Sequence, residues 1–295
     1  MANYIFKKEA QLYLVYDSTK YRIDISEISF SQSFQEKSYE VKTLHNQVGF
    51  EGSNINRANP AEFSFNTPLL EEARHKVVFD RLLDCTTFDL YISSGQDVFK
   101  LEKCVIQDGT FEINKSRPLR LSISGEASKL SKFSESIPGT LRAGDEYDIT
   151  TYIIPQVNTL TIGGTDISSD VVALSVEVQN DISWNKYNTI QGAVTATNAA
   201  TSMFPNNFTV GTRVVAGSIT KYLKGSTDLL TWNTNTALRL KAWNTSNKGV
   251  DFNITNCSFT NRFQDSEVFL EEYSWRMTQR PTALELADSV ITYTT

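Results

Sequence analysis

Two-residue alternation of packed and polar side chains dominates this chain. Ile28, Phe30, Gln32 and Phe34 alternate with Ser29, Ser31 and Ser33; Leu119, Leu121 and Ile123 with Arg120, Ser122 and Ser124; Leu174, Val176 and Val178 with Ser175, Glu177 and Gln179. Successive side chains of a strand point to opposite faces, so each run predicts an antiparallel strand with one packed and one hydrated face. Parallel strands covered on both sides would read as nearly continuous apolar runs. One segment keeps helical spacing instead. Thr67 offers an N-cap and Pro68 a first-turn proline, and Leu69, Leu70, Val77, Val78, Leu82 and Leu83 follow at helical steps, predicting an amphipathic helix over 68–84 that lies on the sheet.

The pattern recurs within the chain. Ile28-Ser29-Phe30 matches Leu174-Ser175-Val176, and Phe99-Lys100-Leu101 with Cys104-Val105-Ile106 matches Phe252-Asn253-Ile254 with Cys257-Ser258-Phe259, at nearly equal displacements. Phe111 to Ile123 and Gln264 to Met277 close the two copies with similar alternation. Between them, Pro138 to Pro155 carries Gly139, Gly144, Asp145, Glu146 and Asp148 and reads as a boundary. Its acids lack the ligand positions of a calcium loop, which favours a solvated linker. The expected division is a first domain over 1–140, a linker over 141–155 and a second domain over 156–295, in keeping with about 150 residues per domain. The copies differ in the middle: the second has a Thr/Asn-rich run from Asn188 to Asn207, and Ser226 to Leu230 supply at most a helical turn.

Composition narrows the chemistry. The 295 residues carry 28 Lys+Arg against 34 Asp+Glu, a net charge of −6, which argues against gripping duplex DNA by counterion release. No apolar run reaches the ~20 residues of a membrane-spanning helix, and no secretory leader is visible at the start, so synthesis in a reducing cytoplasm is expected. Cys85, Cys104 and Cys257 lack disulfide or zinc spacing and read as small buried hydrophobes. His45 and His75 have no ligand or nucleophile partner nearby, and GxSxG, HExxH, GxxxxGK[ST] and GxGxxG are absent. The expectation is no enzyme, no catalytic or metal residues and no cofactor. Asn-x-Ser/Thr triplets, such as those that begin at Asn207, Asn244, Asn253 and Asn256, reflect a strand-rich composition.

The strand from Ile28 to Phe34, the segment Ala61 to Thr67 leading to a helix, and the run Phe99 to Ile113 followed by Leu121 to Leu130 together resemble the tail-tube domain of long-tailed bacteriophages, and Leu160 to Val178 resembles its start a second time. The resemblance implies a mainly β protein: a duplicated antiparallel β-sandwich or barrel domain, with one flanking helix in the first copy. It implies a virion tail protein in which six domain copies make a ring, so that this duplicated chain closes as a trimer with pseudo-sixfold symmetry, and rings stack into a tube that conducts DNA during ejection. The implied partners are further copies of the chain, baseplate or tube-initiator proteins, a tape-measure protein, a tail-terminator protein and, in contractile tails, a sheath; DNA passes without specific binding.

On that reading the polar members of the alternating strands face the lumen: Ser29, Ser31, Ser33, Ser122, Ser124, Ser175, Glu177 and Gln179. Hydroxyls and a carboxylate give a polyanion nothing to hold. Gln35 to Pro60, polar and without a long apolar strand, is a candidate arm for ring stacking, with Asn188 to Asn207 as its counterpart. The even division of the chain favours the major tail tube subunit. A tube initiator or terminator ring at the baseplate or head end is the alternative, and a carbohydrate-binding β-sandwich using Trp184, Trp232, Trp243 and Trp275 is a third reading.

Overall fold

Alternation becomes sheet, in two matching sets of strands. The computed structural model describes residues 10–42, 48–94, 97–114, 116–146, 151–185, 203–223, 236–264, 267–278 and 290–295. The first set is β1 (Gln11–Tyr16), β2 (Thr19–Ile23), β3 (Glu27–Ser31), β4 (Phe34–Lys42), β5 (Val48–Ala58), β6 (Ala61–Pro68), β7 (Phe88–Ser93), β8 (Val98–Asn114), β9 (Arg120–Ala127), β10 (Lys129–Phe133) and β11 (Thr140–Leu141), with a helix α1 (Lys76–Asp84) between β6 and β7. The second is β12 (Gln156–Ile162), β13 (Thr165–Asp166), β14 (Val171–Trp184), β15 (Phe208–Tyr222), β16 (Thr236–Trp243), β17 (Gly249–Gln264), β18 (Leu270–Met277) and β19 (Ile291–Thr294).

The pairing order is the same in both. In the first half β1 pairs with β2 and β7, β7 with β8, β8 with β10 and β9, β9 with β6, and β6 with β3. In the second, β12 pairs with β13 and β16, β16 with β17, β17 with β19 and β18, β18 with β15, and β15 with β14. Each half is thus two antiparallel sheets linked by one long strand, β8 or β17, that runs through both. Their inward side chains, such as Leu12, Leu90 and Leu101 against Phe63, Ile106 and Ile123, belong to one hydrophobic core that continues through the second half. The match extends to single rungs: Phe30, Phe63, Gly125 and Ile106 lie across the first half as Val176, Gly217, Trp275 and Phe259 lie across the second. The aromatic and the glycine have changed places. A Cβ on Gly125 would stand 2.6 Å from the Phe63 ring, and one on Gly217 would stand 2.7 Å from the Trp275 ring. In each case a strand glycine admits a neighbouring ring over its backbone.

One ladder joins the halves. β8 and β14 pair antiparallel from Asn114↔Ala173 to Asp108↔Gln179, giving a continuous run β3-β6-β9-β8-β14-β15-β18-β17. Aromatic rings cross the joint: Phe111 lies 6.0 Å from Phe79 of α1 and 5.4 Å from Phe252 of β17, and Phe79 lies 5.5 Å from Tyr293 of β19. α1 lies over β8, with Leu82 directly against Gly109. Its last carbonyls are capped from the other half. Arg213 of β15 donates to Leu82 O at 3.3 Å and Leu83 O at 2.5 Å, Asn180 of β14 donates to Leu82 O at 3.1 Å, and Arg213 also donates to Asn180 Oδ1 at 2.8 Å. A guanidinium at a helix C-terminus satisfies orphan carbonyls and opposes the dipole.

Three local expectations are corrected. The helix begins at Lys76, after a 3-10 turn over Ala73–His75, and not at Pro68. Thr67 and Pro68 are still in β6, where Pro68 pairs with Arg120, and the Thr67 hydroxyl donates to Asp24 O at 2.8 Å and caps nothing. The chain stays extended because Leu69 donates to Leu119 O and accepts from Ile153 N, so ladder bonds override the local helical spacing. His75 is buried; its Nδ1 bonds Pro68 O at 2.6 Å and its Nε2 accepts from the Asp24 amide at 3.0 Å, so one imidazole holds three segments together. Second, the strand from Ile28 breaks after Ser31: Gln32 turns in to bond Asn59 O, Ser128 O and the Leu130 amide, and Phe34 begins β4 with its side chain 47% exposed.

Third, the described part of the expected linker is exposed at most positions, Tyr152 and Ile154 among them, yet it is pinned to the fold at a few. β11 pairs parallel with β2, Asp145 is buried and accepts from the Arg22 amide at 3.1 Å beside Arg74 and Arg142, and Ile153 is fully buried between Leu69 and Leu119. Burial pushes the Asp145 carboxyl above its ordinary value despite these partners. Asp148 lies outside the described residues.

The cap across the joint makes a prediction. Arg213→Ala leaves the Leu82 and Leu83 carbonyls without their charged donor, and urea unfolding is expected to show a loss of about 2 to 3 kcal/mol, with a smaller loss for Arg213→Lys.

Candidate functional site

The polar positions of the alternating strands gather on one face of the eight-strand run. Strand register lays them out in rows. One row reads Ser29, Ser64, Ser124, Asp108 and Gln179. The next reads Glu27, Asn66, Ser122, Thr110, Glu177, Ala216, Arg276 and Ser258. A third reads Arg120, Glu112, Ser175, Ser218, Ser274 and Thr260. The structure therefore brings together Ser29, Ser122, Ser124, Ser175, Glu177 and Gln179 from both halves, and Ser31 joins them opposite Glu62. Ser33 does not: it lies in the bend between β3 and β4, where its hydroxyl accepts from Asn59 Nδ2 at 2.8 Å. The cause is the inward turn of Gln32.

Short polar contacts hold this face. Ser124 Oγ donates to Asp108 Oδ2 at 3.0 Å, the Ser175 and Ser218 hydroxyls lie 2.8 Å apart across their strands, and Gln179 Nε2 donates to Glu177 Oε1 at 2.8 Å. Carboxylates at Glu27, Glu62, Asp108, Glu112, Glu177 and Glu272 outnumber guanidiniums at Arg120, Arg262 and Arg276, and Arg262 is itself paired to Glu272 at 2.7 Å. Lysine is absent from these rows. Beside Glu62, burial pushes the Glu126 carboxyl above its ordinary value, and the Glu62 charge adds to the effect. A face of hydroxyls and excess carboxylates can order water and repel a polyanion; it offers no cluster of cations to bind phosphate.

The run also ends in two open edges. Among the described residues, β3 pairs only with β6, and β17 beyond Cys257 pairs only with β18. Such unpaired backbone edges are templates for another chain. β4 and β5 form a separate hairpin, so the expected arm is a two-stranded ribbon. Its base is tied down where the Ala58 amide donates to Met203 O at 3.0 Å. In strand order the segment between β14 and β15 is its counterpart, although 188–202 lie outside the described residues.

The remaining candidates resolve as structural. Cys104 and Cys257 are fully buried at equivalent rungs, opposite Phe88 and Thr236, and burial pushes the Cys257 thiol up to about 12. Trp184 and Trp275 are buried, and Trp243 lies under the Lys241 ammonium at 3.7 Å, so they form no shared exposed platform. Trp232 and His45 lie outside the described residues. Alternation could not reveal the β8–β14 joint, because both strands look alike to any partner. The strand glycines Gly125 and Gly217 were the available signal for the ring-over-backbone rungs.

A family model described as the Bacteriophage Baseplate Tube Protein Family matches residues 2–83 and 76–287. Baseplate tube protein p140 of Escherichia phage T5 is 25% identical over 207 residues, covering 62% of this chain and 65% of that protein. The chain thus spans just under two thirds of the length of that curated relative.

Burial and exposure make a labelling prediction. In the folded single chain the native thiols are expected to resist a thiol reagent, whereas Glu177→Cys is expected to react rapidly; mass spectrometry of the labelled protein, before and after denaturation, checks both.

Proposed function

The chain belongs to the bacteriophage baseplate tube protein family and is a structural component of the virion tail; on that premise we propose that three copies close into a pseudo-sixfold ring whose hydrated face lines a channel for DNA. The observation that carries the reading is the repeated pairing order with one open edge at each end of the run. Strand for strand, each half supplies the same four members, β3-β6-β9-β8 and β14-β15-β18-β17. A protein with two such edges saves neither by remaining alone, and ring closure covers both. On this reading 1–140 and 156–295 are the two ring units and 141–155 ties them together.

The family description favours a ring at the baseplate end of the tube, next to tube-initiating proteins. The even division of the chain into two similar halves favours the second reading, a major tail tube subunit repeated along the shaft and stacked through the β4–β5 ribbon. In both, the other partners are the tape-measure protein inside the tube, a terminator at the head end and a sheath in contractile tails. The carboxylate-rich lining lets DNA slide because it presents no row of cations to trap phosphates. Catalysis has no part in this role.

Two outcomes test the proposal. Negative-stain electron microscopy with light-scattering mass is expected to show trimeric rings of hexagonal outline, alone or stacked; a chain that stays monomeric at high concentration and joins no tail particle would count against it. Glu177→Lys combined with Gln179→Lys places cations in the middle rows, and the resulting rings are expected to retain DNA at low salt and release it as salt rises.

A further inference from the structure

The internal β8–β14 joint is a template for the contact between copies. By its rungs β14 corresponds to β3, and the end of β8 corresponds to the end of β17: Phe111 faces Leu121 of β9 as Phe263 faces Glu271 of β18. Val176↔Phe111, Glu177↔Thr110 and Ser175↔Glu112 are the pairs of the closed joint. Their counterparts across an open one are Phe30 with Phe263, Ser31 with Arg262, and Ser29 with Gln264.

The side chains show what the two open edges lack. Phe111 is fully buried in the closed joint, whereas Phe263, at the equivalent rung, is 54% exposed. Along β14, Leu174 has Ile113 directly opposite. Along β3, the equivalent Ile28 borders a groove of about 600 Å³ whose walls set Ala10, Ile25 and Phe65 among the polar Ser26, Glu27 and Asn66. An exposed aromatic at one end of the run and an open groove, partly walled by apolar side chains, at the other are complementary parts of the same contact.

We propose that the end of β17 in one copy adds to β3 of the next in the register of the β8–β14 joint, setting Phe263 over Phe30 and the groove beside it. This rests on the ring reading above and gives it a rung-by-rung form. Backbone bonds supply the continuity, and the aromatic pair selects the register, because a slip of one residue turns Phe263 to the hydrated face.

Paired cysteines test the register. Ser31→Cys with Arg262→Cys, both on the hydrated face, are expected to yield disulfide-linked dimers and trimers on mild oxidation of the full chain. Ser31→Cys with Thr260→Cys, two rungs out of register, is expected to stay monomeric on a non-reducing gel. Rings that link the second pair, or neither, would overturn the register while leaving the ring intact; monomers by light scattering that link neither pair would overturn both. Phe263→Asp is expected to abolish rings with an unchanged urea midpoint, since the ring is exposed in one copy, and Phe263→Leu to retain them. Full assembly of Phe263→Asp would likewise overturn the contact.

Discussion

The β8–β14 ladder is the interaction on which the rest of this structure depends. Without it the chain would be two sandwiches on a strap. With it, the inward faces of both halves merge into one core, Phe111 reaches Phe252, and α1 finds its cap on strands of the other half. Backbone hydrogen bonds contribute modestly one by one. A ladder nonetheless sets the angle and register of everything it joins, and here it aligns the polar rows of two halves into one continuous face.

That face and the open edges follow from the same constraint. An antiparallel sheet packed on one side must hydrate the other, and a sheet that does not close on itself must expose its first and last strands. The proposed ring would use both consequences, the hydrated side as a lining and the edges as joints. The charge pattern fits the proposed lining, since a row of lysines would strengthen binding to DNA and slow passage.

The two halves have diverged where they face different surroundings. At the rung where the first half has Thr67, Leu121 and Phe111, the second has Lys221, Glu271 and Phe263. Lys221 and Glu271 form a buried pair at 3.6 Å, and Asn261 donates to Glu271 at 3.3 Å. Burying such a pair costs desolvation and is tolerated where hydrogen bonds accompany it. Packing density is conserved differently at Gly125 and Gly217, where ring and glycine exchange strands yet the same layer is filled.

Much of this was legible in the order of residues. Period-two alternation marked the strands and separated Ser29, Ser122, Ser124, Ser175, Glu177 and Gln179 from their packed neighbours, because the pleat enforces that separation locally. The recurrence of Ile28-Ser29-Phe30 and of the Cys104 segment marked equivalent rungs, because duplicated strands keep their register. Long-range contacts decided the rest. The start of α1 was set by Leu119 and Ile153, which hold Leu69 extended; the loss of Ser33 from the polar face was set by the inward bonds of Gln32; the pinning of the strap at Asp145 and Ile153 was set by Arg22, Arg74 and Leu69. Which strand meets which across the halves is a property of the assembled sheet, since a strand's own residues specify its faces while its neighbours specify its edges.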